Sequence, residues 1–200
     1  TSTFYEKDVA ASTTATGRLL LTYAKRVVEE VYGDRICNTT KHGKVMSKAE
    51  YIYGDTDSVF FTFNLQTLEG EDIRGKKALE ITIELAKEMG ELASKFLKKP
   101  HDLEYEKTFW PFNLLSKKRY DGMLYEEDPD SYVRKSMGLV TKRRDNANLT
   151  KLFYNGILDI LMDGERAAIE QNLTKYFNQF MRKLLNRKFP IEDLVISKTL

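Results

Sequence analysis

The most constraining feature of the sequence is a short acidic turn between two runs of aromatic and β-branched residues. The turn is Gly54-Asp55-Thr56-Asp57-Ser58, with Tyr-Ile-Tyr at residues 51–53 before it and Val-Phe-Phe-Thr-Phe at residues 59–63 after it. β-Forming residues on both sides of a turn that contains glycine and aspartate predict two strands joined as a hairpin. Two carboxylates would then lie together at its tip, where like charges repel each other unless a cation compensates them.

The acidic turn has two interpretations. Aspartate and glycine are ordinary turn formers, and an aspartate side chain often accepts hydrogen bonds from the nearby backbone. Alternatively, Asp55 and Asp57 are ligands of Mg²⁺, which prefers oxygen and is usually held by one or two carboxylates together with substrate phosphates. Buried strands on both sides would hold the carboxylates rigidly, which favours the second interpretation and points to phosphoryl transfer.

Hydrophobic periodicity predicts the fold class. Apolar residues recur at helical spacing over residues 9–32 and 76–97, and helical spacing returns from Asn148 onward. Residues 37–47 form a polar stretch between the first helix and the hairpin. Strands followed by a helical module predict an α+β fold, with an antiparallel sheet, covering helices and a boundary near residues 143–148.

A further strand is predicted after the second helix. Leu103 and Tyr105 alternate with Glu104 and Glu106, as expected for a strand with one buried face. A solvated acidic face is the simpler interpretation of Glu104 taken alone. Trp110 belongs to an aromatic cluster that is predicted to pack in the sheet rather than to stack on bases.

Composition excludes several classes of protein. The chain has 32 Lys and Arg against 30 Asp and Glu, so any nucleic-acid contact has to come from local clusters of positive charge. Cys37 is the single cysteine and cannot form an internal disulfide, and His42 and His101 do not have zinc-site spacing. No apolar run approaches the ~20 residues needed to span a bilayer, so no membrane contact is expected.

Positive charge is clustered in two places. The first is Lys117-Lys118-Arg119, although a short basic run by itself is most often a solvated strand end. The second has five cations with no acid among them and is predicted to face phosphates. These are Arg134, Lys135, Lys142, Arg143 and Arg144.

The acidic turn resembles motif C in the palm domain of B-family DNA-directed DNA polymerases. The resemblance continues, in order and spacing, through most of the chain, and it is weakest in residues 39–48 and 65–75. Within this family, the sequence most resembles the delta-type replicative polymerases of eukaryotes and the related enzymes of large DNA viruses. The matching segments after the turn are residues 103–107, 109–112, 114–120, 138–146 and 194–198.

The resemblance implies template-directed DNA synthesis by two-metal catalysis. The 3'-hydroxyl of a primer would attack the α-phosphorus of a dNTP, assisted by two Mg²⁺ ions. Asp57 would take the metal-bridging role, and Asp55 would be a weaker or outer ligand. Glu106 resembles a further family carboxylate near the metals, with Glu104 as its competitor for that role.

The resemblance also implies a DNA-binding surface. Lys117, Lys118, Arg119 and Tyr120 resemble the motif that touches the primer-template duplex from its minor groove, where every correct pair presents acceptors. Asp121 stands where the family commonly has a small apolar residue. It is expected to pair with Arg119 or Lys118 and to weaken the grip on the duplex.

By the same resemblance, the chain divides into two parts. Residues 1–144 would be the C-terminal part of the palm, and residues 145–200 the beginning of a helical thumb. The crossing between them would contain the DNA-binding residues Arg143 and Arg144.

Several parts of a complete polymerase do not occur in the sequence. The family's motif A aspartate, its motif B fingers helix and the proofreading exonuclease carboxylates are missing, so the chain is expected to be a piece of a longer polymerase and inactive alone. Expected partners are primer-template DNA and dNTP, with a sliding clamp and accessory subunits bound by other parts of the polymerase. The expected location is the nucleus for a cellular enzyme, or the host nucleus or a cytoplasmic replication factory for a viral one.

Two other functions remain open from the sequence. One is a non-catalytic scaffold, derived from a polymerase palm and thumb, that binds duplex DNA through Lys117 to Tyr120. The other is a metal-dependent nuclease that uses Asp55, Asp57 and Glu106. Retention of both aspartates counts against the scaffold, and the likeness of the basic segments to primer-duplex contacts counts against the nuclease.

Overall fold

The computed structural model describes residues 6–142, 145–163 and 167–196. Arg143 and Arg144, which the sequence places in the DNA-binding crossing, lie outside the described residues. The described residues form two compact units. One contains the residues up to Thr108 together with Tyr125–Ser131, and the other contains Phe109–Leu124 and the residues from Tyr132 onward.

The first unit is built from two long helices and two hairpins. Both helices predicted from periodicity are confirmed, the first continuing through a π-helical turn at Val27–Val31. The predicted hairpin around the acidic turn is confirmed as well. In chain order the elements are α1 (Lys7–Arg26), β1 (Arg35–Thr39), β2 (Gly43–Ser47), β3 (Glu50–Asp55), β4 (Ser58–Thr62) and α2 (Gly75–Ser94).

The β1–β2 hairpin lies in the polar stretch at residues 37–47, for which no strands were predicted. Alternate residues are buried along it, but half of these are polar, so the pattern of hydrophobicity does not reveal the strands. The Thr39 hydroxyl donates to the carbonyl of Gly43 at 2.8 Å, and the Ser47 hydroxyl donates to the carbonyl of Tyr32 at 2.8 Å. Internal hydrogen bonds therefore allow these polar side chains to occupy buried positions.

The core of the first unit lies between α2, the end of α1 and the two hairpins. Tyr32 and Phe63 meet edge to face, with ring centroids 5.8 Å apart, and both side chains are almost fully buried. The apolar face of α2 supplies the other wall, as its periodicity predicts. The buried members are Val27, Val28, Tyr32, Cys37, Val45, Ala49, Phe63, Leu65, Ile81, Leu85, Ala86, Met89 and Ala93.

The second unit combines a three-stranded sheet with two helices. Its strands are paired in the order β5-β6-β7, and β7 is antiparallel to β6. Phe109, Phe112 and Tyr120 pack together with ring centroids 5.1 to 5.7 Å apart. Trp110 was expected in this core but is 48% exposed. The elements are β5 (Thr108–Ser116), β6 (Arg119–Tyr125), β7 (Val133–Met137), α3 (Asn148–Asp163) and α4 (Ile169–Leu185).

The α+β fold class is confirmed. Within the described residues, however, the strands pair in three separate small sheets rather than one continuous sheet, because each pairing is local to a hairpin or meander. The predicted palm and thumb boundary at residues 144 and 145 stays a prediction. In the part of the chain that the structure describes, no helix combines the length and apolar character that a membrane span requires.

Candidate functional site

The acidic turn lies at the tip of the β3–β4 hairpin. Asp55 pairs with Ser58 across the hairpin, which leaves Thr56 and Asp57 as the two turn residues. Ile52 is an extra residue in β3, because the register shifts by one between Tyr51 and Tyr53. Such bulges increase the local twist and re-aim the side chains beyond them, and they are common beside active sites.

Hydrogen bonds within the turn fix its conformation. The carbonyl of Asp55 accepts from the backbone N–H of Asp57 at 2.6 Å and from the hydroxyl of Ser58 at 3.1 Å. Thr56 has a φ of 55°, an uncommon conformation for a β-branched residue. The Asp57 side chain is exposed and the Asp55 side chain is half-buried. An ion can therefore approach Asp57 from solvent.

Glu104 and Glu106 lie on a segment that runs along α2. Residues 103–107 were expected to be a strand, but the strand begins only at Thr108. The segment is held to α2 by Ser94, whose hydroxyl donates to the carbonyl of Leu103 at 3.1 Å and accepts from its N–H at 2.8 Å. Because these hydrogen bonds go to a helix side chain, the segment lies beside α2 without belonging to a sheet.

The predicted alternation of residues 103–106 is nevertheless preserved. Leu103 and Tyr105 are half-buried, and Glu104 and Glu106 are exposed. The Tyr105 hydroxyl bonds to the Thr108 hydroxyl at 3.1 Å, and burial raises the pKa of this phenol, so it stays neutral. Tyr105 thus anchors the segment and leaves both glutamates on its outer side, where Glu106 pairs with Lys107.

The structure brings some of the predicted acidic residues together and not others. Asp55 and Asp57 share one turn, and Glu104 and Glu106 share one segment. Within residues 6–142, 145–163 and 167–196, no three His, Cys, Asp or Glu side chains form a group that could hold a metal ion. The predicted set of Asp55, Asp57 and Glu106 is therefore not gathered into one cluster, and its role stays a prediction.

Gly90 on α2 allows residues 103–107, here called the glutamate segment, to approach the helix closely. This close approach leads to a testable prediction. A Cβ at Gly90 would lie 2.8 Å from the carbonyl oxygen of Leu103, so the backbone would have to move. We expect Gly90→Ala to destabilise this packing by about 1 to 2 kcal/mol, because overpacking costs ~1 to 3 kcal/mol and helix propensity returns up to ~1 kcal/mol. Faster cleavage after Glu104 and Glu106 by a glutamate-specific protease would measure it.

Gly17 on α1 is the matched control. It is also inside a long helix, but nothing lies within 4 Å of a Cβ built there. Gly17→Ala should stabilise the helix by about 0.5 to 1 kcal/mol and leave cleavage at residues 104 and 106 unchanged. Equal protease sensitivity in the two variants would contradict the packing role of Gly90.

The basic run forms the turn between β5 and β6. Lys117 and Lys118 are the turn residues, and Lys118 has a φ of 60°. Lys117, Lys118 and Arg119 are exposed, whereas Tyr120 is 7% exposed and packs against Phe109 and Phe112. The three cations thus face solvent together, and Tyr120 supports the turn from inside the sheet. DNA contact by these four residues stays a prediction.

Asp121 has a partner that the sequence did not predict. Its side chain is fully buried and binds Arg134 of the neighbouring strand, with Nη2 donating to Oδ2 at 2.9 Å. Arg134 also contacts Asp159 on α3. Arg134 is therefore occupied by two carboxylates and does not belong to a free phosphate-facing patch. The pair leaves no local signal in the sequence, because Asp121 and Arg134 are 13 residues apart along the chain.

The comparison with known families decides the relationship of the chain. A family model described as DNA polymerase family B matches residues 1–200, which is the whole chain. The chain belongs to DNA polymerase family B. The predicted membership is thereby confirmed, and the acidic turn, the glutamate segment and the basic turn are elements of a family B chain.

Relatives of this family B chain occur in viruses and in eukaryotic cells. The DNA polymerase of Pyramimonas orientalis virus is 46% identical over 200 residues, covering 100% of this chain and 15% of the relative. The DNA polymerase delta catalytic subunit of Drosophila melanogaster is 35% identical over 197 residues, covering 96% and 16%. The DNA polymerase of Acanthamoeba polyphaga mimivirus is 39% identical over 151 residues, covering 76% and 8%. The chain thus spans less than one fifth of the length of these relatives.

Proposed function

We propose that the chain is part of a longer DNA polymerase that extends a primer by transferring nucleotides from dNTP under the direction of a template. The observation that carries this proposal is the exposed Asp57, held beside Asp55 at the tip of a hydrogen-bonded hairpin in a family B chain. A site for phosphoryl transfer needs carboxylates at a fixed position that solvent and phosphates can reach.

The donor atoms at the hairpin tip suit Mg²⁺. Two carboxylates in one turn supply the oxygen ligands that this ion prefers, and the exposed position leaves room for water and substrate phosphate. Asp57 would hold the metal directly, and Asp55 would be the weaker ligand. When bound, Mg²⁺ lowers the pKa of the attacking hydroxyl and compensates charge on the pyrophosphate. The remaining ligands would come from motif A in another part of the polymerase.

The other predicted residues have supporting roles. We propose Glu106 as an additional carboxylate near the metals, with Glu104 as the alternative, since both lie on the outer side of a segment anchored by Tyr105. Lys117, Lys118 and Arg119 would grip the duplex from its minor groove through acceptors that every correct base pair presents. Arg143 and Arg144 would add phosphate contacts. These roles require no covalent nucleophile.

The proposed setting is DNA replication. The partners would be primer-template DNA and dNTP, with clamp and accessory subunits bound elsewhere on the polymerase. The site of action would be the nucleus for a cellular enzyme, or the host nucleus or a cytoplasmic factory for a viral one. We propose that motifs A and B lie in other parts of the polymerase and that the 200 residues alone do not polymerise.

A primer-extension assay on the full-length protein tests the proposal. With Mg²⁺, dNTP and a labelled primer-template, we expect extension that EDTA abolishes and that added Mg²⁺ restores. Cleavage of the duplex without extension would instead indicate a metal-dependent nuclease. Binding of the duplex with neither reaction, together with an upstream reading frame lacking motif A, would indicate a scaffold.

Lys118 provides a test of the DNA-binding role. Lys118→Ala in the full-length protein should weaken binding of primer-template DNA by about tenfold, because one cation of the exposed turn is lost. The slope of log K against log salt should become shallower by about 0.9, as expected for one lost cation contact. Fluorescence anisotropy at several salt concentrations measures both quantities.

Lys44 serves as the control for Lys118. It is an exposed lysine on β2, outside the proposed DNA surface. Lys44→Ala should change neither the affinity nor the salt slope. A similar loss of affinity in both variants would mean that general positive charge, and not the β5–β6 turn, binds the duplex.

A further inference from the structure

The buried carboxylate of Asp121 accepts hydrogen bonds from two residues of the neighbouring strand. Arg134 donates to it from Nε at 3.2 Å and from Nη2 at 2.9 Å, and the hydroxyl of Ser136 donates to its other oxygen. The Asp121 side chain is 0% exposed, and the Arg134 side chain is 34% exposed. A buried carboxylate with this many donors is satisfied, but it depends on Arg134 for compensation of its charge.

Arg134 extends the network to the first helix of the same unit. Its Nη1 donates to Asp159 on α3, whose side chain is 53% exposed. The hydrogen bond to Asp121 raises the pKa of the Arg134 guanidinium, and Asp159 adds to the effect. The planar guanidinium group of Arg134, with its several donors in a fork, thus joins β6, β7 and α3. A lysine could not make all of these contacts, because its ammonium group is a single point charge.

The network lies directly behind the basic turn. Asp121 is two residues after Arg119 in β6, and it pairs with Ser136 in β7. The next residues of β7 lead to Gly138, which has a φ of 64°. A Cβ at Gly138 would lie 2.1 Å from the carbonyl oxygen of Lys118, so the end of β7 passes against the backbone of the turn. Anything that fixes β7 on β6 therefore also supports Lys118.

The charges also specify the register of the two strands. A shift of one residue between β6 and β7 would move the partner of Asp121 to the opposite face of the sheet. The buried carboxylate would then lose its donors, which is costly. Burial of a charged pair where an apolar pair could pack is consistent with a role in fixing one arrangement.

We propose that Asp121, Arg134 and Asp159 form a positioning network that holds β7 and α3 behind the β5–β6 turn and keeps Lys118 in place for duplex DNA. The residues are positioning residues, since they act through the turn and do not touch the DNA. This inference rests on the proposed function, because it names the elements that support its DNA-binding surface. It assigns to Asp121 a supporting role, where the sequence suggested a weakening one.

The test is a set of double-mutant cycles in the full-length protein, read out as Kd for a primer-template. Arg134→Lys keeps the charge but loses the fork, so we expect about tenfold weaker binding. Because Arg134 acts through Lys118, adding Arg134→Lys to Lys118→Ala should cause little further loss. The rate of incorporation at saturating DNA should stay unchanged. Lys135, an exposed neighbour of Arg134 on β7, is the control. The effects of Lys135→Ala and Lys118→Ala on Kd should multiply, as expected for independent sites.

Asp159→Asn is the second variant, because it removes only the exposed link to α3 and leaves the buried pair intact. It should weaken DNA binding by about threefold, again without adding to Lys118→Ala. Wild-type affinity in Arg134→Lys, or effects that multiply with those of Lys118→Ala, would overturn the inference. A wild-type protein that fails to bind the duplex would contradict the proposed function itself.

Discussion

Asp57→Ala should reduce nucleotide incorporation by the full-length protein about 10³-fold or more while leaving its affinity for primer-template DNA unchanged. The variant removes the carboxylate that is proposed to hold Mg²⁺ and leaves the basic turn intact. Charge stabilisation by a metal amounts to several kcal/mol, and about 4 kcal/mol corresponds to ~10³-fold in rate. Single-turnover incorporation and DNA binding by anisotropy measure the two quantities separately.

The control for Asp57 is Glu50, an exposed carboxylate at the other end of β3. Glu50→Ala should leave incorporation within about twofold of the wild-type rate, since surface substitutions usually have small effects. Both variants should fold normally, because Asp57 is also exposed. If Asp57→Ala and Lys118→Ala lost DNA affinity equally, the separation of metal binding from duplex binding would be wrong.

Arg134→Met should destabilise the β6–β7 pairing by about 3 kcal/mol. The substitution leaves the fully buried Asp121 carboxylate without its cation. Removing one member of a buried pair costs ~3 to 5 kcal/mol, and the partial exposure of Arg134 places the expected value at the lower end. Hydrogen exchange of the amides in β6 and β7 should accelerate by about 100-fold, which is the rate equivalent of ~3 kcal/mol.

Two further variants test whether the uncompensated charge of Asp121 causes the faster hydrogen exchange. Asp121→Val combined with Arg134→Met replaces both partners by apolar groups and should restore most of the protection, because no uncompensated charge remains. Lys135→Met, at the next and exposed position of β7, should change protection by no more than about 0.5 kcal/mol. Equal acceleration in all three variants would show that β7 is merely sensitive to substitution.

The local patterns of the sequence predicted the elements around the site well. The hairpin at Asp55 and Asp57 and the two long helices were found because apolar residues repeat at strand or helix spacing within one element. The alternation of Leu103 and Tyr105 with two glutamates gave the correct faces but the wrong element. The backbone N–H and carbonyl of Leu103 bond to the hydroxyl of Ser94 on α2. A side-chain partner on a helix leaves no periodic pattern in the sequence that would distinguish this segment from a strand.

The sequence by itself determined the family, the fold class, the acidic turn and the basic turn, because each is encoded by residues that are neighbours along the chain. The tertiary structure decided which charges neutralise each other and which remain exposed. In the sequence, Arg134 is one cation of a basic cluster. In the structure, the pairing of β6 with β7 places it beside Asp121, which neutralises its charge. Which charged groups lie close enough to interact strongly depends on which strands and helices pack together, and that is fixed only when the chain folds.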